Sequence, residues 1–298
     1  MLNKIKHVYY SIIPSFNVKN DSLENYEKIE NRFRPLKLSN LKLIYPISNQ
    51  IIKYRENIKL ELKRSNDLIS IIVPYRNREE HLKQFIPYMK DYLTKANIKY
   101  EIIIVEQADH KSFNRGKLIN IGAKYSNQNS KMFICHDVDM LPINIDYRPI
   151  NYPLRPFGSI RENEPIMSDN IFGGINFIPK DIFIQANGFS NNYWHWGSED
   201  DDFLMRLLFI GSVPFVDDSG QYISLPHQRS VTQSADGVYQ KDEKIVKELI
   251  AKREINRDIF SKMKRGLLNQ QNDGLNSLEY ELIEILDKID YKLVRVVF

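Results

Sequence analysis

Three short apolar runs separated by two helix-like patterns predict an α/β fold, with a mostly parallel central sheet flanked by helices. The runs are Leu68–Pro74, Tyr100–Glu106 and Lys131–His136, each dominated by aliphatic residues. Such near-continuous apolar character belongs to strands buried on both faces. Helix patterns over Glu79–Leu93 and Lys117–Tyr125 lie between them. Strand, helix, strand, helix, strand is the signature of a parallel sheet.

The remaining elements follow in order. Residues 1–65 are mixed and rich in Lys, Asn and Glu, with weak helices near Leu23–Phe33 and Ile51–Arg64 separated by Pro35 and Pro46. They read as a helical N-terminal extension, an accessory segment before one main domain over 66–298. Pro87 predicts a kink in the first helix of that domain. Within it, 66–150 carries the three strands and 151–298 is loop-rich, with an acidic helix start at Glu199. Ile245, Leu249, Ile255, Ile259 and Met263 give Lys241–Arg265 one apolar face, stopped by Gly266.

A chain of 298 residues with 42% hydrophobic content can bury a sizeable core. The net charge of +4, against 42 basic and 38 acidic residues, gives no reason to expect nucleic acid. The single cysteine, Cys135, excludes an internal disulfide and fits a reducing compartment. No run is long enough to span a membrane. Lys4, Lys6 and His7 beside Tyr9 and Tyr10 offer at most a peripheral contact with an anionic membrane face.

In open α/β sheets ligands bind beyond the carboxyl ends of the strands. Here those ends carry Pro74, Tyr75, Arg76 and Arg78, then Glu106 to Asp109, then Asp137–Val138–Asp139. Two acids after a buried strand can hold a hard divalent cation, and alternation turns Val138 inward. Arg76, Arg78 and Arg115, beside Tyr75 and Phe113, suit phosphate oxygens and a stacked base. Phe172–Gly173–Gly174 allows close backbone approach to a ligand, or simply a tight turn.

The block Trp194–His195–Trp196–Gly197–Ser198–Glu199–Asp200–Asp201–Asp202 puts four carboxylates directly after both tryptophans. Adjacent acids repel, so folding alone gives little reason for them. Flat indole faces beside acids suit a sugar, whose CH faces lie on the ring while a carboxylate removes a proton. The plainer alternative is an acidic helix N-terminus stabilised by the helix dipole.

Together these segments resemble the beta-1,4-galactosyltransferase family, with its GT-A fold. The likeness runs through Val73–Leu82, Glu106–Gln107, Phe113–Leu118, Asp137–Pro142, Phe172–Gly174, Asn187–Phe189, the tryptophan–acid block and Asp273–Ser277. It implies an inverting, Mn2+-dependent transfer from UDP-galactose or UDP-N-acetylgalactosamine to a glycan acceptor, free or lipid-linked. By the same resemblance Pro74, Tyr75, Arg76, Arg78, Phe113, Arg115, Val138 and Gly174 surround the nucleotide-sugar, with Asp137 near the donor sugar. Asp139 and His227 match the metal ligands. Trp196 matches a contact to both substrates, Asp200 the catalytic base, and Gly197, Glu199 and Asp201 the acceptor site. The four acids are expected to raise the proton affinity of the base.

Two positions depart from the family. Ser224 and Leu225 stand where another metal ligand is expected. Ile171 stands where galactose-transferring members have tyrosine, and its smaller volume leaves room for an N-acetyl group at the sugar's C2, a preference worth about 1–3 kcal/mol. A cytoplasmic bacterial enzyme of surface-glycan synthesis, peripheral on the inner membrane face, is the expected setting. The rivals are a glycan-binding module, which has no use for Asp139, His227 and Asp200 together, and a UDP-sugar hydrolase, which needs no acceptor platform.

Overall fold

The computed structural model describes residues 41–43, 63–157, 159–160, 172–217, 220–225 and 243–298. Its centre is strand β2 (Ile69–Tyr75), buried at every position; β1 is Leu41–Leu43. On one side β2 pairs in parallel with β3 (Tyr100–Gln107), on the other with β4 (Met132–Cys135). These are the three runs legible in the sequence.

Helix α1 (Glu79–Lys95) has Glu79 and Glu80 in its first turn and buries Phe85, Ile86, Met89, Tyr92 and Leu93. That spacing is one face of a helix, and it packs on Ile69, Ile71 and Val73. Pro87 lies on the exposed side and the helix runs through it. Helix α2 (Arg115–Lys124) covers the opposite face through Leu118, Ile119 and Ile121, against Ile72, Ile103 and Val105. Its approach is close: a Cβ on Gly122 would meet Ile72 Cγ2 at 2.2 Å.

Beyond β4 the pairing turns antiparallel. After β5 (Met140–Pro142), β6 (Leu154–Arg155) and β7 (Ser159–Ile160), strand β8 (Asn176–Pro179) pairs antiparallel with β4. Helices α3 (Lys180–Gln185) and α4 (Glu199–Phe209) follow, then β9 (Phe215–Asp217) and β10 (Gln221–Ser224). Helix α5 (Glu243–Lys264) precedes the hairpin β11 (Glu281–Asp287) and β12 (Lys292–Val297), whose second strand joins β3 in parallel. The order of the nine-stranded sheet is β1-β9-β6-β8-β4-β2-β3-β12-β11. A second sheet, β5-β10-β7, sits apart.

Leu41–Leu43, inside the N-terminal segment, adds a strand against β9. Arg64 bridges to Ile150 and is not helical; the helix expected near 23–33 lies outside the described residues, as does 51–62. No helix among the described residues is long and apolar enough to cross a membrane.

Candidate active site

The carboxyl ends of β2, β3 and β4 and the start of α2 open on one edge of the sheet. Gln107 organises the loop after β3. Its Nε2 donates to Asp109 Oδ1 (2.8 Å) and the Ser112 carbonyl (2.9 Å), while its Oε1 accepts from Asn114 N (2.9 Å). Asn114 then caps α2 by accepting from Lys117 N at 2.9 Å, and its Nδ2 donates to the Asn191 carbonyl at 2.8 Å. Phe113 and Arg115, on either side of that cap, are thereby fixed. Arg76 donates to the Lys111 carbonyl at 2.6 Å and lies 5.2 Å from the Phe113 ring centre. Pro74 and Tyr75 are buried and Arg78 is half-buried at the α1 start.

Arg115 is the hub. Its Nε lies 3.1 Å from Asp137 Oδ1, its Nη1 donates to Asp200 Oδ1 at 2.8 Å, and its Nη2 donates to the Gly174 carbonyl at 2.6 Å. Gly174 has φ +75, the left-handed region that glycine enters without a Cβ penalty. Burial opposes the charge of Arg115, yet Asp137, Asp200 and Glu199 together hold its pKa above the ordinary value. One side chain thus joins positions that the resemblance distributes between the donor and the base.

The four acids form the first turn of α4, where the dipole favours negative charge. Helical geometry then divides them. Glu199 is buried, Asp200 faces Arg115, and Asp202 turns into the core. Asp202 accepts from Tyr193 Oη at 3.0 Å and pairs with Arg206, four residues on. Folding therefore does account for one acid of the four. The pKa of Asp200 stands well above the ordinary carboxylate range; burial is the largest cause, Arg115 opposes it, and Glu199, Asp137 and Asp201 add to it. Repulsion among neighbours acts in the expected direction but ranks below burial. Burial likewise raises Glu199 and Asp201.

His195, Gly197 and Ser198 all have positive φ (71, 102 and 73), so the segment before α4 is tightly wound. His195 N donates to the Phe113 carbonyl at 2.7 Å, tying this loop to the segment just before α2. Trp196 is 37% exposed, a large indole available to a ligand. Helix α5 supports it: Arg253 lies 4.7 Å from the Trp196 ring centre, and Asn256 Nδ2 donates to the carbonyls of Trp194 (3.0 Å) and Trp196 (3.3 Å). Neither residue was singled out from sequence. Asn256 is buried on one face of α5 with Phe260 and Met263, whereas Ile255, expected on the apolar face, is 59% exposed.

Strand β4 ends at Cys135, so a turn and not strand alternation sets the directions of Asp137, Val138 and Asp139. Val138 is buried and both aspartates are half-buried. Antiparallel pairing of β10 with β5 brings Leu225 N to the Asp139 carbonyl at 2.7 Å. The Leu225 side chain is buried in the apolar cluster with Val138 and Met140, so it offers no ligand. His227 and Ile171 lie outside the described residues. Among the described residues no three His, Cys, Asp or Glu side chains converge on a metal position.

Comparison with known proteins finds two family models along the chain. Residues 42–148 match the N-terminal region of glycosyl transferase group 7, and residues 159–228 match the N-terminal domain of galactosyltransferase. Beta-1,4-galactosyltransferase 1 of Bos taurus is 33% identical over 227 residues, covering 73% of this chain and 51% of the relative. Beta-1,4-galactosyltransferase 7 of Drosophila melanogaster is 36% identical over 148 residues, 48% of this chain and 45% of the relative. The chain thus spans about half the length of these curated relatives. Among solved structures, the catalytic domain of Drosophila beta1,4galactosyltransferase 7 in complex with xylobiose superposes with TM-score 0.61 at 26% identity, covering 78% of this chain and 94% of that one. A mutant of the same enzyme, complexed with manganese, UDP-Gal and xylobiose, matches equally.

Proposed function

The chain belongs to the beta-1,4-galactosyltransferase family, and on that premise we propose that it is an inverting, metal-dependent glycosyltransferase. The reaction moves galactose or N-acetylgalactosamine from its UDP-sugar to a glycan acceptor in a beta linkage. The observation that carries this reading is the convergence of Asp137, the Gly174 carbonyl and Asp200 on Arg115. A glycan-binding module has no use for a base of raised proton affinity at that point.

Inversion is a single in-line displacement. Asp200 accepts the proton of the acceptor hydroxyl as that oxygen bonds to the sugar's C1 and the bond from C1 to the UDP oxygen breaks. Arg115 orients the Asp200 carboxylate and opposes the burial that raises its proton affinity. Trp196 provides the apolar face on which the acceptor ring rests. Arg76 and Phe113 border the nucleotide.

Mn2+ would be held by Asp139, whose carboxylate oxygen suits that ion, with His227 as the second ligand that the resemblance gives. When bound, the ion neutralises charge on the departing diphosphate. Ile171 supports use of N-acetylgalactosamine, and the Ile171→Tyr variant is then expected to shift kcat/KM toward galactose. The setting we propose, bacterial surface-glycan synthesis in the cytoplasm, rests on the sequence alone.

The test is incubation of the purified protein with UDP-galactose or UDP-N-acetylgalactosamine, Mn2+ and a panel of acceptors including xylosides. UDP release and glycan product are read together. Product formed only with both substrates and Mn2+ supports the reading. UDP release indifferent to every acceptor replaces it with hydrolysis.

A further inference from the structure

Beneath the Asp137–Asp139 turn lies a buried polar chain. His136 Nδ1 is 2.8 Å from the Asp137 carbonyl, and His136 Nε2 is 2.8 Å from Tyr147 Oη. Tyr147 Oη is in turn 3.0 Å from Tyr222 Oη. All three side chains are fully buried.

The chemistry of the ends fixes every proton. A carbonyl only accepts, so His136 Nδ1 carries the hydrogen. The other ring nitrogen of a neutral imidazole then accepts, and Tyr147 donates to it. Tyr147 has spent its hydrogen, so Tyr222 donates to Tyr147.

The chain joins two segments that matter together. His136 begins the turn bearing Asp137 and Asp139. Tyr222 sits in β10, whose extension makes the Leu225–Asp139 bond. We propose that Tyr147 and Tyr222 are positioning residues for the candidate metal site, acting through His136 to hold the Asp137–Asp139 turn against β10. This rests on the metal-dependent reading above. Partners that orient metal ligands from behind typically contribute about 10–100-fold in affinity.

Tyr92 supplies the control. It is buried in the same cluster and its ring lies 6.0 Å from that of Tyr147. Among the described residues, however, its hydroxyl bonds only the Ile145 backbone, donating to the carbonyl and accepting from the amide, both at 2.7 Å.

The experiment titrates the full chain with Mn2+, alone and with saturating UDP, reading free ion by electron paramagnetic resonance. Thermal stability and kcat at saturating Mn2+ are measured alongside. Tyr147→Phe is expected to raise the Mn2+ Kd about tenfold while kcat at saturating metal stays within about twofold. Tyr222→Phe, one bond further away, gives a smaller shift in the same direction, and stands in if Tyr147→Phe does not fold. Tyr92→Phe lowers Tm and leaves the Kd unchanged. An unchanged Kd in folded Tyr147→Phe or Tyr222→Phe, or an equal loss in Tyr92→Phe, overturns the proposal alone. Failure of the unmodified protein to bind Mn2+ under either condition overturns the metal-dependent reading, and the proposal with it.

Discussion

Helix α4 holds two arginine–aspartate clusters that look alike in composition and differ in what they are for. In the first, Arg206 pairs with Asp202 and lies 3.2 Å from Asp273 Oδ2, while Asp273 also accepts from Ser190 Oγ at 2.5 Å and Asn191 N at 2.8 Å. Arg206 and Asp202 are 2% and 3% exposed, and Tyr193 completes the set. In the second, Arg115 pairs with Asp137 and Asp200, whose side chains are 32% and 23% exposed. The closed cluster has its carboxylates occupied and pins α4 to the segment around Asp273. The open one keeps carboxylate surface facing the cleft. A buried ion pair is weak evidence of stability or of function by itself; accessibility of its acids separates the two.

The comparison breaks most visibly at Asp200. Asp200→Asn is expected to lower kcat by about 10²–10⁴-fold with UDP-sugar binding retained, measured by product formation and by donor titration. The same substitution is expected to raise Tm. The folded state binds the Asp200 proton more tightly than the unfolded chain, so ionisation of the native carboxylate opposes folding. The gain is full above the raised pKa and vanishes as pH falls below about 4, the unfolded carboxylate range. Equal Tm values across that window contradict the sign.

Asp202→Asn tests the closed cluster: burial raises the Asp202 pKa as well, but both its oxygens are occupied, by Arg206 and by Tyr193, so losing the carboxylate leaves a buried guanidinium short of its partner. Removing one partner of a buried, hydrogen-bonded pair costs about 3–5 kcal/mol, read from urea denaturation. Turnover per folded molecule changes by less than about threefold. A large activity loss at full stability would merge the two clusters into one site.

Trp196→Ala sharpens the boundary between them with the smallest effect. Losing the indole that Arg253 flanks raises the acceptor KM about tenfold or less, with a smaller rise in the donor KM. An equal rise for the donor would move Trp196 to the nucleotide side.

The parallel centre was legible because β2, β3 and β4 are covered on both faces and therefore read as unbroken apolar runs. The β11–β12 hairpin was not. Leu282, Ile283 and Ile285 are 41%, 48% and 41% exposed on an edge strand, so no burial pattern marks it. Strand β8 is four residues long and ends in Pro179, too short to stand out. In the site, residue types located the acids and arginines, and resemblance supplied their roles. The division of the acid block was available in principle, since Asp202 and Arg206 stand four apart on a helix. The support from Asn256 and the His136–Tyr147–Tyr222 chain were not, because they join residues 60 or more apart or depend on burial that sequence does not display.

The central claim is that Arg115 holds Asp200 in place and opposes the burial that raises its proton affinity. The most direct measurement is the pH dependence of kcat for the unmodified protein and Arg115→Gln, at saturating donor, acceptor and Mn2+. The account predicts an acid limb above the ordinary carboxylate range of about 4, moving to higher pH in Arg115→Gln as burial goes unopposed. An acid limb at the ordinary range in both proteins, or one that Arg115→Gln leaves in place, contradicts it.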